Sequence, residues 1–193
     1  MAKGMTLLWG SGSPPCWRVM IALEEKNLQG YNQKLLSLEK LEHKSKELLA
    51  INPRGQLPTF KHGDNVLSES YAVCFYLESQ FKSQGTKLIP DGPAEQALMY
   101  QRMFEGLTFY EKLNVGYLQK LGSGSYLAGP SFTLADVVVF PTVGTVFRFG
   151  LSPERYPKLG EYHNLLKERP SIRASWPPHW LESPKGLDTL KDI

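Results

Sequence analysis

The stretch that most narrows what this chain can become runs from Asn52 to Ser70, NPRGQLPTFKHGDNVLSES. It holds three devices in a row. Leu57-Pro58 is an X-Pro bond that opens an apolar run. A cis proline there marks a tight turn and leaves the Leu57 amide and carbonyl facing outward as a pairing edge. His62-Gly63-Asp64-Asn65 reads as a turn between two short strands, Thr59–Lys61 and Val66–Ser68. Glu69-Ser70 stands where a helix begins, with Tyr71, Val73, Phe75, Tyr76 and Leu77 behind it. A helix N-terminus, with its free amides and positive dipole end, suits a carboxylate ligand. Each device alone occurs in proteins that bind nothing there; the order of all three is more specific.

The flanking pattern gives the frame. Thr6–Trp9 reads as a short apolar strand, Gly10 to Pro15 as a loop, and Cys16 to Lys26 as a helix with Val19, Met20 and Leu23 on one face. Gln33–Leu36 reads as a second strand, followed by a loop and helix over Leu38–Leu49, the hairpin, and a helix over Ser70–Phe81. A βαβαββα order predicts an α/β domain with a small mixed sheet over residues 1–83. Residues 84–92 are rich in turn formers and read as a linker. Residues 93–193 read as all-helical. Ala94–Leu113 is a helix, and Thr133-Leu-Ala-Asp136 is a capping box with Asp in place of Glu, opening the apolar run Val137–Phe140. Pro141 predicts a kink or break in that helix. Leu159, Tyr162, Leu165 and Leu166 mark another helix, ended by Pro170. The tail from Ser175 reads as irregular, partly wrapped over the second domain.

Composition excludes several functions. Of 193 residues, 41% are hydrophobic and 21% charged, and the net charge of +3 (22 basic, 19 acidic) is too mild to argue for nucleic acid. No apolar run approaches the roughly 20 residues of a membrane span, and the N-terminus lacks a secretory signal pattern. Two cysteines, Cys16 and Cys74, make no disulfide framework and fit a reducing cytoplasm, and four scattered histidines give no metal-ligand spacing.

Ser13-Pro-Pro-Cys16 has the outline of a C-x-x-C redox motif whose first cysteine is a serine. At the start of a helix a cysteine there would be an activated thiolate, whereas a serine is either a helix cap or a hydrogen-bond donor to another molecule's sulfur. Ser11, in the same loop, competes for that role. Cys16 falls inside the helix and Cys74 among core residues.

Together these motifs resemble the thioredoxin-like domain of the cytosolic glutathione transferases, from about Met5 to Trp180, and WPPHW near the end is most similar to the rho class. The resemblance implies a glutathione transferase fold: a thioredoxin-like α/β domain followed by an all-α domain. It implies glutathione as co-substrate and small hydrophobic electrophiles as the second substrates, in a detoxifying, cytoplasmic homodimer. Residue by residue, it implies that Ser13 lowers the pKa of the bound thiol as in serine-type members. Trp9 stands near where tyrosine-type members carry their tyrosine. Leu57 and Pro58 meet the cysteinyl backbone of glutathione, and Glu69 and Ser70 its γ-glutamyl end. His43, fifteen residues before Pro58, or Lys44 meets the glycyl carboxylate; Gln56, like Arg54, lies in the loop beside them. The electrophile would be lined by Trp9, Ser11 and Gly12 on one side and Phe104, Leu107 and Thr108 on the other, with Trp180 closing the pocket.

One part departs from the pattern. The family's helical hairpin has its first arm here, but the second reduces to Val115–Leu121. Roughly 30 residues are absent between Leu113 and Tyr117, either a mobile segment passed over in the numbering or a true internal deletion. Two other functions stay open: a glutathione-dependent thiol oxidoreductase using Cys16, and a non-catalytic binding protein on the same fold.

Overall fold

The computed structural model describes residues 2, 4–112, 125–184 and 186–192, with the backbone alone at 109–112. The expected break between Leu113 and Tyr117 and the short arm Val115–Leu121 lie outside the described residues. The chain forms two compact units. The first takes Met1–Thr86 together with Ser175–Leu181, and the second Lys87–Ala174 with Glu182–Ile193.

In the first unit the order is β1 (Met5–Trp9), α1 (Pro14–Glu25), β2 (Asn32–Leu35), α2 (Lys46–Ile51), β3 (Thr59–His62), β4 (Asn65–Leu67) and α3 (Ser70–Gln80). A 3-10 turn over Glu42–Lys44 precedes α2. The sheet order is β2-β1-β3-β4. β1 runs parallel to β2, with Leu7 beside Gln33, and antiparallel to β3, with Leu7 beside Phe60. A mixed sheet follows from the connections: a helical crossover joins β1 to β2, while a tight turn with Gly63 at φ +58° joins β3 to β4. The inward residues of β1, Met5, Leu7 and Trp9, alternate with part-exposed ones and meet Phe60 in the core. Pro14 and Pro15 occupy the first turn of α1, where no amide is needed from them.

α1 and α3 are cross-linked by charge as well as by apolar packing. The Lys26 ammonium, completely buried, donates to the Glu78 carboxylate at 2.8 Å and to the Thr86 carbonyl at 3.0 Å. Such a pair stands only while both members are present, because a lone buried charge is far more costly than the pair.

The second unit comprises, among the described residues, α4 (Pro93–Lys112), α5 (Leu134–Arg148), α6 (Pro157–Lys167) and α7 (Pro170–Ala174). The capping box at Thr133 and Asp136 is formed. Asp136 is fully buried. It accepts from the amides of Leu127 (3.0 Å) and Thr133 (2.9 Å), and from the hydroxyls of Thr133 and Tyr162 (3.1 Å). Burial outweighs these bonds and pushes its carboxyl up to about 6. Of the kink or break expected at Pro141, a break does not occur: α5 continues to Arg148. Nearly all of α5 is buried, so tertiary packing offsets the hydrogen bond that a proline removes, a loss of about 3 kcal/mol. His163 on α6 stacks on Phe140 and lies against Phe147. Burial, with a lesser contribution from Lys167, holds its pKa down to about 4.

The tail differs from its expected course. A short helix, α8 (Pro178–Glu182), forms there, and Ser175–Leu181 belongs to the first unit. The Trp17 indole N–H donates to Ser175 Oγ at 3.0 Å, and Trp17, Trp176 and Trp180 pack edge to face with centroids 5.1 to 5.7 Å apart. No described helix is long and apolar enough to cross a membrane.

Two outcomes follow for stability. Lys26→Met alone costs about 3–5 kcal/mol, while Lys26→Met with Glu78→Gln costs less than the single change, measured by denaturant unfolding. Acid acts on the second unit through two opposed groups. The depressed His163 contributes stability that is present above pH 6.5 and lost as pH falls through about 4. The raised Asp136 contributes stability that is full below pH 3.8 and lost as pH rises through about 6. In thermal unfolding series on acidification, His163→Phe therefore loses less stability than the wild type and Asp136→Asn loses more.

Candidate functional site

The loop from Asn52 to Pro58 is shaped by one buried side chain. Asn52 Nδ2 donates to the Gln56 carbonyl at 2.8 Å and to Thr59 Oγ1 at 2.9 Å, while its Oδ1 accepts from the Arg54 amide at 3.2 Å. Gly55 turns the loop at φ +54°, where an added Cβ would lie 2.9 to 3.1 Å from Leu49, Lys44 and the His43 carbonyl. Lys44 Nζ reaches the Arg54 carbonyl at 3.2 Å. The 3-10 turn bearing His43 and Lys44 is thereby packed onto the loop bearing Arg54 and Gln56. The His43 Nδ1 atom is buried without a partner among the described residues. Leu57-Pro58 is cis, as expected. β3 starts at Thr59, and among the described residues the Leu57 amide makes no hydrogen bond.

α3 begins just after β4, past Ser68 and Glu69. Glu69 is its N-cap residue in extended conformation, and its side chain caps nothing; instead it pairs with Arg54. Both partners are more than half exposed (53% and 59% for Arg54 and Glu69), so this pair contributes little to stability and its carboxylate is open to exchange. Ser70 is buried, and its hydroxyl accepts from Arg18 Nη1 at 3.2 Å. Arg18 is itself buried on α1, with its guanidinium 5.0 Å from the centre of the Tyr71 ring. A cation placed behind Ser70 adds to the positive end of α3. Sequence reasoning missed Arg18. The signal was a lone arginine in the apolar run Cys16-Trp-Arg-Val-Met-Ile-Ala-Leu23, where a charge that close to the core needs a polar partner.

The loop between β1 and α1 carries the two serines. Ser13 is the N-cap of α1 with no capping bond from its side chain; its hydroxyl bonds the Cys16 sulfur. Cys16 also accepts from the Gly10 amide at 3.4 Å. Its thiol is 0% exposed, and burial pushes its pKa up against those two bonds. A buried thiol with a raised pKa is a poor nucleophile and hard to reach for a disulfide, which weighs against the oxidoreductase alternative based on Cys16. Cys74 is buried likewise, and burial pushes it to about 12. Ser11 Oγ lies 2.6 Å from His179 Nδ1. His179, in the tail, is the second residue that sequence reasoning missed.

The residues expected to line an electrophile pocket are found as follows. Trp9 is the last inward residue of β1, and its buried indole N–H has no partner among the described residues. Gly12 takes φ +74° next to His179 and Trp180, and Trp180 is buried in the tryptophan cluster of the first unit. Phe104, Leu107 and Thr108 sit on the exposed side of α4 in the second unit. Among the described residues no group of His, Cys, Asp and Glu side chains could hold a metal ion.

Comparison with known proteins shows the family and the fold. Residues 11–85 match the model of the glutathione S-transferase N-terminal domain, and residues 88–177 that of the C-terminal domain. Glutathione S-transferase A of Pleuronectes platessa is 63% identical, with all of both chains covered. That alignment runs over 226 residues while this chain has 193, so at least 33 aligned positions (226 − 193) have no residue here. Among solved structures, a glutathione S-transferase from the Antarctic clam Laternula elliptica is 36% identical. It superposes with a TM-score of 0.85, covering 98% of this chain and 99% of that one. A glutathione transferase homologue solved with bound glutathione (TM-score 0.76, 21% identity, covering 95% of this chain and 98% of that one) shares the fold. With both domain models matched in order and a full-length relative at this identity, the chain belongs to the glutathione S-transferase family and is a transferase of that family.

Proposed function

We propose that this protein conjugates the thiolate of glutathione to small hydrophobic electrophiles, as a serine-type, rho-class detoxifying enzyme of the cytoplasm that works as a homodimer. The observation that carries the reading is the Leu57 amide, unbonded among the described residues, in a loop that the Arg54–Glu69 ion pair ties to the start of α3. Glutathione has complementary groups for each. Its cysteinyl backbone pairs with Leu57 beside Pro58. The α-amino group of its γ-glutamyl end takes the Glu69 carboxylate from Arg54, and the neighbouring carboxylate meets Ser70 and the amides of α3, with Arg18 behind them. His43 and Lys44, packed on the loop of Gln56, take the glycyl carboxylate. These groups bind and orient. The step that raises reactivity belongs to Ser13, whose hydroxyl donates to the sulfur and favours its ionised form. Trp9 in place of a tyrosine leaves no phenol to do this. Ser11, Gly12 and Trp180 border the electrophile in the first unit.

A conjugation assay with a generic aromatic electrophile, run with and without glutathione, tests the reading. The wild type turns over only with glutathione. Ser13→Ala lowers kcat by about 100-fold with little change in glutathione affinity, because the lost bond matters most to the thiolate. Binding of the electrophile with no conjugation would instead establish the non-catalytic role. Cys16→Ala keeps conjugation, and intact-mass analysis of the native protein incubated with oxidised glutathione shows no adduct at Cys16.

A further inference from the structure

We propose that Ser11 and His179 form a proton relay that carries the thiol proton of glutathione to solvent; the proposal rests on glutathione binding at the site described above. Ionising a thiol requires an acceptor for its proton. The Ser13 hydroxyl can stabilise a thiolate but cannot keep a proton, and the Cys16 sulfur that it bonds is itself buried and protonated. Two residues earlier in the same loop, Ser11 Oγ is bonded to an imidazole nitrogen, His179 Nδ1, at 2.6 Å. In neutral imidazole that nitrogen is the acceptor when Nε2 carries the hydrogen.

The pair is built rather than incidental. Its members are 168 residues apart in sequence. Gly12 leaves the space for the ring: a Cβ at that position would lie 2.7 Å from His179 Cε1 and 3.2 Å from Nε2. The tail is clamped on both sides of the ring, by the Trp17 bond to Ser175 and by Trp180 packing against Trp17 and Trp176. The His179 ring is nonetheless exposed. An exposed hydrogen bond adds little to stability, since water competes for both partners, but exposure is what a group needs if it is to hand a proton to water.

The transfer balances. The S–H bond of glutathione breaks and its proton goes to Ser11 Oγ. The Ser11 O–H bond breaks as its own proton goes to His179 Nδ1. The products are a thiolate, a neutral serine and an imidazolium, which then loses one N–H proton to water. Ser13 meanwhile holds the thiolate, so one serine sets the ionisation equilibrium and the other the rate at which it is reached. His179 acts through Ser11 and is a positioning and relay residue rather than a contact of the sulfur.

Stopped-flow absorbance of the glutathione thiolate on mixing with the protein, without electrophile, separates the two roles. In His179→Ala the thiolate appears about 100-fold more slowly, at the lower end of what a positioned acid–base group supplies, with the same final amplitude. Added imidazole restores the rate in proportion to its concentration. His179→Gln keeps a hydrogen-bond partner for Ser11 yet is as slow as His179→Ala, because an amide takes no proton. Ser11→Ala is slow and is not restored by imidazole. Ser13→Ala lowers the amplitude instead. A wild-type rate in His179→Gln or His179→Ala, or a loss that imidazole does not restore, overturns the relay and leaves the tail a tether. Absence of any thiolate signal in the wild type overturns the glutathione reading and the relay together. Intrinsic tryptophan fluorescence, dominated by the cluster at Trp17, Trp176 and Trp180, verifies that the tail stays docked in each variant.

Discussion

A backbone amide without a partner is the constraint around which the first unit is arranged. Buried or half-buried N–H groups in folded proteins are almost always bonded, yet the Leu57 amide, in the loop before β3, makes no hydrogen bond among the described residues. It can persist only because the rest of the loop is over-determined. Asn52 satisfies Gln56, Thr59 and Arg54 with one buried side chain, and Gly55 has no room for a Cβ against the turn bearing His43 and Lys44. The unbonded group is therefore held in place before any ligand arrives, which reduces the ordering cost of binding. At the start of α3 the N-cap residue Glu69 likewise makes no capping bond with its side chain.

In the second unit a carboxylate does the corresponding work. Asp136 collects donors from Leu127, Thr133 and Tyr162, and so fixes the start of α5 to the loop before it and to α6. Its burial raises its pKa even so, which means the network is held by geometry and packing at a net electrostatic cost. This is why α5 runs through Pro141: an element anchored at its first turn and buried along its length does not need every internal hydrogen bond.

What was legible in the sequence was local. The hairpin, the cap at Thr133 and Asp136, the helix starting at Ser70 and the X-Pro turn each depend on residues a few positions apart, and turn and cap chemistry acts at that range. Ser13, Leu57, Pro58, Glu69 and Ser70 stand in such local motifs, and their roles came from the resemblance to the glutathione transferases. Arg18 and His179 were not legible, because what gives each its meaning is a partner far off in the chain: Ser70 for one, Ser11 for the other. The tail was misjudged on similar grounds. Its run of Trp and Pro reads as irregular covering, and nothing local says that Trp17, rather than a residue of the second unit, is what Trp176 and Trp180 pack against.

Those long-range pairs also explain how one loop can carry two serines without redundancy. A serine hydroxyl has one proton to give, and what it is bonded to decides where that proton points. Ser13 faces a buried sulfur that stays protonated, so its bond to Cys16 is weak and easily exchanged for a bond to a charged sulfur, which is the stronger acceptor. Ser11 faces a nitrogen that can take a proton outright. The difference is set by Cys16 on one side and by a tail residue on the other, not by the serines themselves. Ser175–Leu181 belongs to the first unit with this loop, so under the proposed relay the end of the chain takes part in chemistry at its beginning.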